Sequence, residues 1–152
     1  MASSQTTILE QLAAARTLLF RVAGSVYGCD IDAVREIIPY RRATRLPGAP
    51  PYVQGLINLR GTIVTVLDLG ARLDATHPPM RDLGGSIILA EHGTRVVGVA
   101  VDEVMDVQAI AEEPVESATG ETRDGVVRGL GHLGDDVVVL IDIHTLVTQV
   151  LL

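Results

Sequence analysis

GLINLRGTIVTVLDL, from Gly55 to Leu69, and GLGHLGDDVVVLIDI, from Gly129 to Ile143, are two copies of one pattern, offset by 74 residues from Leu59 to Leu133 (133 − 59). Each copy is a short aliphatic run, a tight turn containing glycine and a second aliphatic run ending in an acid, which is the grammar of a β-hairpin. A second self-match lies upstream. Gly28-Cys29-Asp30-Ile31-Asp32-Ala33-Val34-Arg35-Glu36-Ile37 aligns with Gly98-Val99-Ala100-Val101-Asp102-Glu103-Val104-Met105-Asp106-Val107 at an offset of 70 (98 − 28). The offset grows by four between the two matches, as a slightly longer loop in the second unit would produce. Each unit therefore reads as hairpin, strand, loop, hairpin. Five short strands in a flat sheet leave long open edges, and closing each unit into a small barrel removes them. The expected fold class is mainly β: two five-stranded barrels side by side with a groove between them.

Working outward, Leu18 to Val22 and Val26 to Ile31 flank an Ala23-Gly24-Ser25 turn, and Ser86 to Ala90 and Arg95 to Val101 flank a second one. Asp32 to Ile38 is compatible with a strand or with one helical turn. Pro47, Gly48, Pro50 and Pro51 make Tyr40 to Tyr52 a loop, and Arg41, Arg42 and Arg45 give it local positive charge. Val104 to Ile110 reads as a strand, Ala111 to Gly125 as a long acidic loop, and Thr145 to Leu152 as a terminal helix or strand. Ile8, Leu9, Leu12 and Ala13 are at helical spacing. The expected organisation is an N-terminal arm over residues 1–16, partly helical, followed by a two-barrel domain over 17–152. The barrels divide roughly as 17–82 and 83–152, with exchange of elements between them left open.

Composition narrows the function. Hydrophobic residues make up 47% of the chain and aromatics only 3%, so the core is built from Val, Leu, Ile and Ala. A formal charge of −7 argues against a nucleic-acid partner, which calls for a basic face that displaces counterions. The lone Cys29 cannot form an internal disulfide, and the N-terminus lacks a basic-then-apolar leader, so a cytoplasmic protein is expected. The longest aliphatic runs are far shorter than the ~18–20 residues of a membrane helix, and no direct membrane insertion is expected.

No catalytic constellation emerges. Gly129-Leu130-Gly131-His132-Leu133-Gly134 matches G-x-G-x-x-G literally, but it leads into a strand and not into a helix whose N-terminus would face a pyrophosphate. His77, His92, His132 and His144 are scattered without metal-ligand spacing. Cys29 aligns with Val99 and reads as a small buried hydrophobe. The expectation is no enzyme activity, no cofactor and no metal.

Comparing the copies separates architecture from function. Gly28/Gly98, Asp32/Asp102 and Asp68/Asp142 recur, and the simplest reading is turn glycines and acids that cap chain ends. Asn58-Leu59-Arg60-Gly61 instead faces His132-Leu133-Gly134-Asp135, so Arg60 puts a large cation at a turn whose counterpart is glycine. That makes Arg60 a candidate contact residue. Glu36 is a candidate ion-pair partner, and Val34, Ile37, Val104 and Val107 are aliphatics at matching places in both units.

At these residues the chain resembles the CheW family of chemotaxis coupling proteins. The most specific segment is Gly55 to Leu73, GLINLRGTIVTVLDLGARL, and the likeness extends through Tyr27 to Ile37, Arg95 to Val104 and Gly129 to Gly131, covering roughly Leu18 to Leu146. Thr65 departs from the family's usual proline. The resemblance implies SH3-like barrels and an adaptor bridging the cytoplasmic tips of methyl-accepting chemoreceptors to the regulatory domain of the histidine kinase CheA, in arrays at the inner membrane. It implies partner-binding roles for Arg60, Glu36, Val34, Asn58, Gly55, Val104 and Val107. It also implies a coupling protein without the receiver domain of longer relatives. Two other readings stay open: a CheW-like adaptor of a non-flagellar motility or developmental pathway, and a small ligand-binding β-barrel.

Overall fold

The structure, a computed structural model, describes residues 16–73, 84–114 and 125–151. Its strands are β1 (Arg16–Val22), β2 (Ser25–Asp30), β3 (Glu36–Pro39), β4 (Val53–Leu59), β5 (Thr62–Asp68), β6 (Ser86–His92), β7 (Arg95–Val101), β8 (Glu103–Ala109), β9 (Val127–Leu133) and β10 (Asp136–Ile141). Helix α1 (Leu69–Leu73) follows β5, and α2 (Ile143–Leu151) follows β10. The ambiguous Asp32 to Ile38 stretch contains both candidates: a 3-10 turn over Ile31–Ala33, then β3. The C-terminal segment is helical. The N-terminal arm lies outside the described residues except for Arg16, which opens β1. The segment 74–83 and most of the acidic loop, 115–124, also fall outside them.

Two five-stranded sheets form, in the orders β8-β1-β2-β10-β9 and β3-β6-β7-β5-β4. Sheet membership does not follow the chain. The hairpin β1–β2 of the first repeat joins the last strands of the second, and β6–β7 of the second repeat joins the last strands of the first. The joints are the only parallel pairings among the described strands: Gly28 beside Leu140, and Gly98 beside Val66. These pairs are equivalent in the repeat, since 140 − 66 is 74 and 98 − 28 is 70.

That position explains the recurring glycine and corrects its reading as a turn residue. Gly28 and Gly98 sit inside β2 and β7. A Cβ on Gly28 would lie 2.5 Å from Thr17 Cγ2, and one on Gly98 would lie 2.6 Å from Ile87 Cγ2. Glycine is needed because neighbouring side chains fill the space above the joint.

Alternation along the strands builds three apolar clusters. Val64, Val66, Ile87, Leu89 and Ala100 fill the interior of the second sheet. Leu19, Val26, Val138 and Leu140 fill that of the first. The opposite faces of the same strands, including Phe20, Leu67, Ile88, Val99 and Ile141, meet in a central core with Ile143, Leu146 and Val147 of α2. Each fully buried Leu, Ile or Phe stabilises by roughly 1.5–3 kcal/mol, so the central core fixes the two barrels to each other. One recurring pair of acids, Asp68 and Asp142, also has a shared role. Asp68 Oδ1 accepts from the Ala71 amide at 3.3 Å and Asp142 Oδ1 from the Thr145 amide at 3.1 Å, each starting a helix.

Candidate protein-binding surface

The turn between β4 and β5 carries Arg60. Arg60 and Gly61 have φ of 51° and 86°, the sign pattern of a type I′ turn, whereas in the β9–β10 turn Gly134, at 60°, is followed by a residue of negative φ. Left-handed backbone favours Gly, Asn or Asp, so local propensity does not account for an arginine at this place. Asn58 secures the turn: its Oδ1 accepts from the Gly61 amide at 2.8 Å, and its backbone carbonyl accepts from Arg41 Nη2 at 2.5 Å.

The Arg60 side chain crosses to β3 and grips Glu36 with both Nη atoms, Nη1 to Oε2 at 3.2 Å and Nη2 to Oε1 at 2.5 Å. Because β3 and β4 are the outer strands of their sheet, the pair spans its open seam. Arg60 remains 65% exposed and Glu36 34% exposed. Hydrogen bonding by Arg60 holds the Glu36 carboxyl below the usual carboxylate range, opposed by partial desolvation. Arg60 is raised by the same hydrogen bond. The guanidinium is thus held by two charge-assisted hydrogen bonds while most of the side chain stays exposed.

Gly55 has a different task. Its φ is 141°, and a Cβ there would lie 2.0 Å from the Thr44 carbonyl oxygen. It is buried, and it lets the Tyr40–Tyr52 loop lie against β4 through the two Thr44–Leu56 backbone hydrogen bonds of 2.7 and 2.8 Å. Gly55 acts through the backbone it permits.

Val34 packs partly against the central core and lines a cleft of about 350 Å³ with Asp32, Arg35, Glu91 and His144. Val104 likewise packs against that core from β8. Val107, 38% exposed, lies at the outer edge of the first sheet beside Leu18, and its repeat equivalent Ile37, 39% exposed, lies at the edge of the second beside Ile88. Of the seven site residues named from sequence, Glu36, Asn58 and Arg60 gather around one turn, Val104 and Val107 lie on the other sheet, Val34 packs on the central core, and Gly55 is buried in β4 beneath the Tyr40–Tyr52 loop.

Sequence reasoning passed over Arg35, which lines both the Val34 cleft and a smaller one of about 190 Å³ beside Arg60. Its Nε lies 2.9 Å from Glu91 Oε1. It also passed over Ile63, 60% exposed, and Val137, 54% exposed. Their matching places in the repeat, with 137 − 63 equal to 74, were the available signal. Cys29 is buried, with its thiol pushed up to about 12 chiefly by desolvation, which suits a core hydrophobe. The segment Gly129 to Leu133 lies within strand β9 and leads through its turn into strand β10, not into a helix.

Comparison with known proteins agrees with this architecture. The CheW-like domain matches residues 16–151. The chemotaxis protein CheW of Klebsiella aerogenes is 34% identical over 135 residues, 87% of this chain and 81% of that one. CheW of Rhizobium meliloti is 40% identical over 101 residues, 65% of this chain and 63% of that one. The crystal structure of the scaffolding protein TtCheW from Thermoanaerobacter tengcongensis superposes with a TM-score of 0.76 at 29% identity, covering 87% of this chain and 86% of that one. With the interleaved repeat, the Asn58–Gly61 turn and the domain match over residues 16–151 together, this chain belongs to the CheW family.

Proposed function

We propose that this chain is a non-enzymatic adaptor that couples chemoreceptors to the histidine kinase CheA in a bacterial chemosensory array. It works in the cytoplasm and is recruited to arrays at the inner membrane through its partners; no described helix is long and apolar enough to cross a membrane. The observation that carries this reading is the Arg60–Glu36 pair: an exposed guanidinium, held by two hydrogen bonds on a turn whose backbone favours glycine. Family membership supplies the class of partner. Arg60 and Glu36 form one contact, Val34, Val104 and Val107 supply apolar area, and Asn58 and Gly55 hold the backbone that presents them.

The test is a pair of titrations of the full chain, one against the regulatory domain of the cognate kinase and one against a receptor-tip fragment, in wild type and in Arg60→Ala. Saturable binding to both, with one of the two weakened in the variant, supports the reading. A folded chain that binds neither would overturn it.

A further inference from the structure

The two barrels fill one equivalent end of their interiors differently. In the second sheet, Ile87 of β6 and Ala100 of β7 are cross-strand partners, and both are buried. Tyr40 packs on the same apolar cluster, and its hydroxyl donates to Gln54 Oε1 at 3.0 Å. The repeat maps this arrangement onto the first sheet. Thr17 and Asp30 are the equivalent cross-strand pair (87 − 17 and 100 − 30 are both 70), and Ile110 corresponds to Tyr40 (110 − 40 is 70). Arg128 corresponds to Gln54 (128 − 54 is 74). A hydroxyl and a carboxylate thus replace two apolar side chains, and an isoleucine replaces an aromatic ring. A cavity of about 220 Å³ lies there, with Thr17, Asp30, Ile110, Glu112, Arg128 and Leu140 in its wall.

The polar groups of this cavity are not all satisfied by the chain. Thr17 is 7% exposed, and no hydrogen bond among the described residues engages its hydroxyl. A buried hydroxyl without a partner costs stability, so its presence calls for a reason. Asp30 Oδ1 accepts from the Asp32 amide at 2.9 Å, and no hydrogen bond or ion pair among the described residues engages Oδ2. Directly opposed residues of antiparallel strands have Cβ atoms ~4.5–5.5 Å apart, so the hydroxyl and the carboxylate can reach one common donor. Arg128 is turned elsewhere: its Nε and Nη2 donate to Glu112 Oε1 and Oε2 at 2.7 and 3.2 Å. An adjoining cavity of about 210 Å³ shares Asp30 and Arg128 and adds Asp32, Asp142 and His144. Four acids therefore surround the two cavities against one arginine and one histidine, which favours a cationic occupant. No group of three His, Cys, Asp or Glu among the described residues could hold a metal ion, so an organic cation fits better.

We propose that this cavity binds a small aliphatic ammonium compound, its nitrogen donating to Asp30 Oδ2 and the Thr17 hydroxyl oxygen and its carbon chain lying on Ile110 and Leu140. An ammonium group carries three donors and no acceptor, which matches a free carboxylate oxygen beside a free hydroxyl. The cavity is smaller than the ~300–1,000 Å³ of drug-sized sites, so the occupant is a short chain. The second barrel has no such site, because Ile87, Ala100 and Tyr40 occupy the equivalent places. The Arg60–Glu36 pair lies on the other sheet, and the inference stands independently of the receptor and kinase partners.

The test titrates n-butylammonium into the full chain and follows the backbone amides by NMR, with butanol and butyrate at equal ionic strength as comparators. Butylammonium is expected to shift the Thr17, Asp30 and Leu140 amides saturably with millimolar affinity, the scale open to so small a ligand. Butanol is expected to bind at least about tenfold more weakly, and butyrate not at all. Asp30→Asn keeps an acceptor for the Asp32 amide and removes the charge, and it is expected to weaken butylammonium about tenfold or more. Thr17→Val removes the hydroxyl without breaking a hydrogen bond. It is expected to melt at or above the wild-type temperature while binding several-fold more weakly. Melting curves of both variants keep loss of fold apart from loss of binding. Three results overturn the proposal: no saturable shift at these amides, butyrate binding as well as butylammonium, or folded variants that bind like wild type.

Discussion

Arg60 and Gly134 occupy equivalent places in the two hairpin turns, with φ of 51° and 60°. One repeat uses the residue that left-handed backbone favours, and the other places an arginine there and ties it to Glu36. Turn preference and side-chain chemistry are therefore separable at this site.

Arg60→Asn separates them. Asn-Gly is a favoured type I′ pair, so the variant is expected to melt at or above the wild-type temperature while losing the guanidinium. Affinity for the partner that contacts this turn should fall by roughly tenfold or more, the scale of a lost charge-assisted contact. Thermal melting and titration on the same preparation check it. A large drop in melting temperature with unchanged affinity would make Arg60 a structural residue.

The Glu36 carboxyl is expected to titrate below the ordinary glutamate range, because Arg60 hydrogen-bonds its charged form. A carboxylate whose folded pKa is depressed stabilises the fold above its unfolded value, and that contribution disappears as pH falls through the folded value. Side-chain carboxyl NMR should show Glu36 returning to the ordinary range in Arg60→Asn. No difference between the two proteins would mean that the pair does not persist in solution.

Three glycines are predicted to cost stability for two different reasons. Gly28→Ala and Gly98→Ala introduce a methyl against Thr17 and Ile87, and each is expected to destabilise by about 1–3 kcal/mol, as overpacking does. Gly55→Ala meets the Thr44 carbonyl and backbone at φ 141°, so it should reach or pass the top of that ~1–3 kcal/mol range. Denaturant unfolding ranks them. Gly55→Ala melting like wild type would contradict the close approach of the loop to β4.

Cys29 is expected to resist thiol reagents at neutral pH in the folded chain and to react promptly once the chain is unfolded. Its raised thiol favours the folded state fully below the unfolded thiol value, and this is lost as pH rises from about 9 toward about 12. Prompt labelling of the native protein would mean that the β2 region opens readily.

The repeat was legible in the sequence because aliphatic runs, turn glycines and acids recur at nearly constant offsets. Which hairpin completes which sheet was not, because Gly28 beside Leu140 and Gly98 beside Val66 are long-range pairings with no local signature. The same gap explains reading Gly28 and Gly98 as turn residues: a missing Cβ looks alike in sequence whether it serves a turn or a crowded joint. Arg60 stood out only because a second copy of its turn was available for contrast. Its grip on Glu36, 24 residues away, needed the folded chain. Ile63 and Val137 were hidden inside apolar runs, where alternation marks two faces without telling which one is covered.

The most direct test of the adaptor account is three-component sedimentation of the kinase regulatory domain and the receptor-tip fragment, with and without this chain. The account predicts that the two fragments co-sediment only when the chain is present, and that Arg60→Asn reduces this bridging while the chain stays folded. Co-sedimentation that is independent of the chain, or a chain that binds each fragment but never both at once, would contradict it.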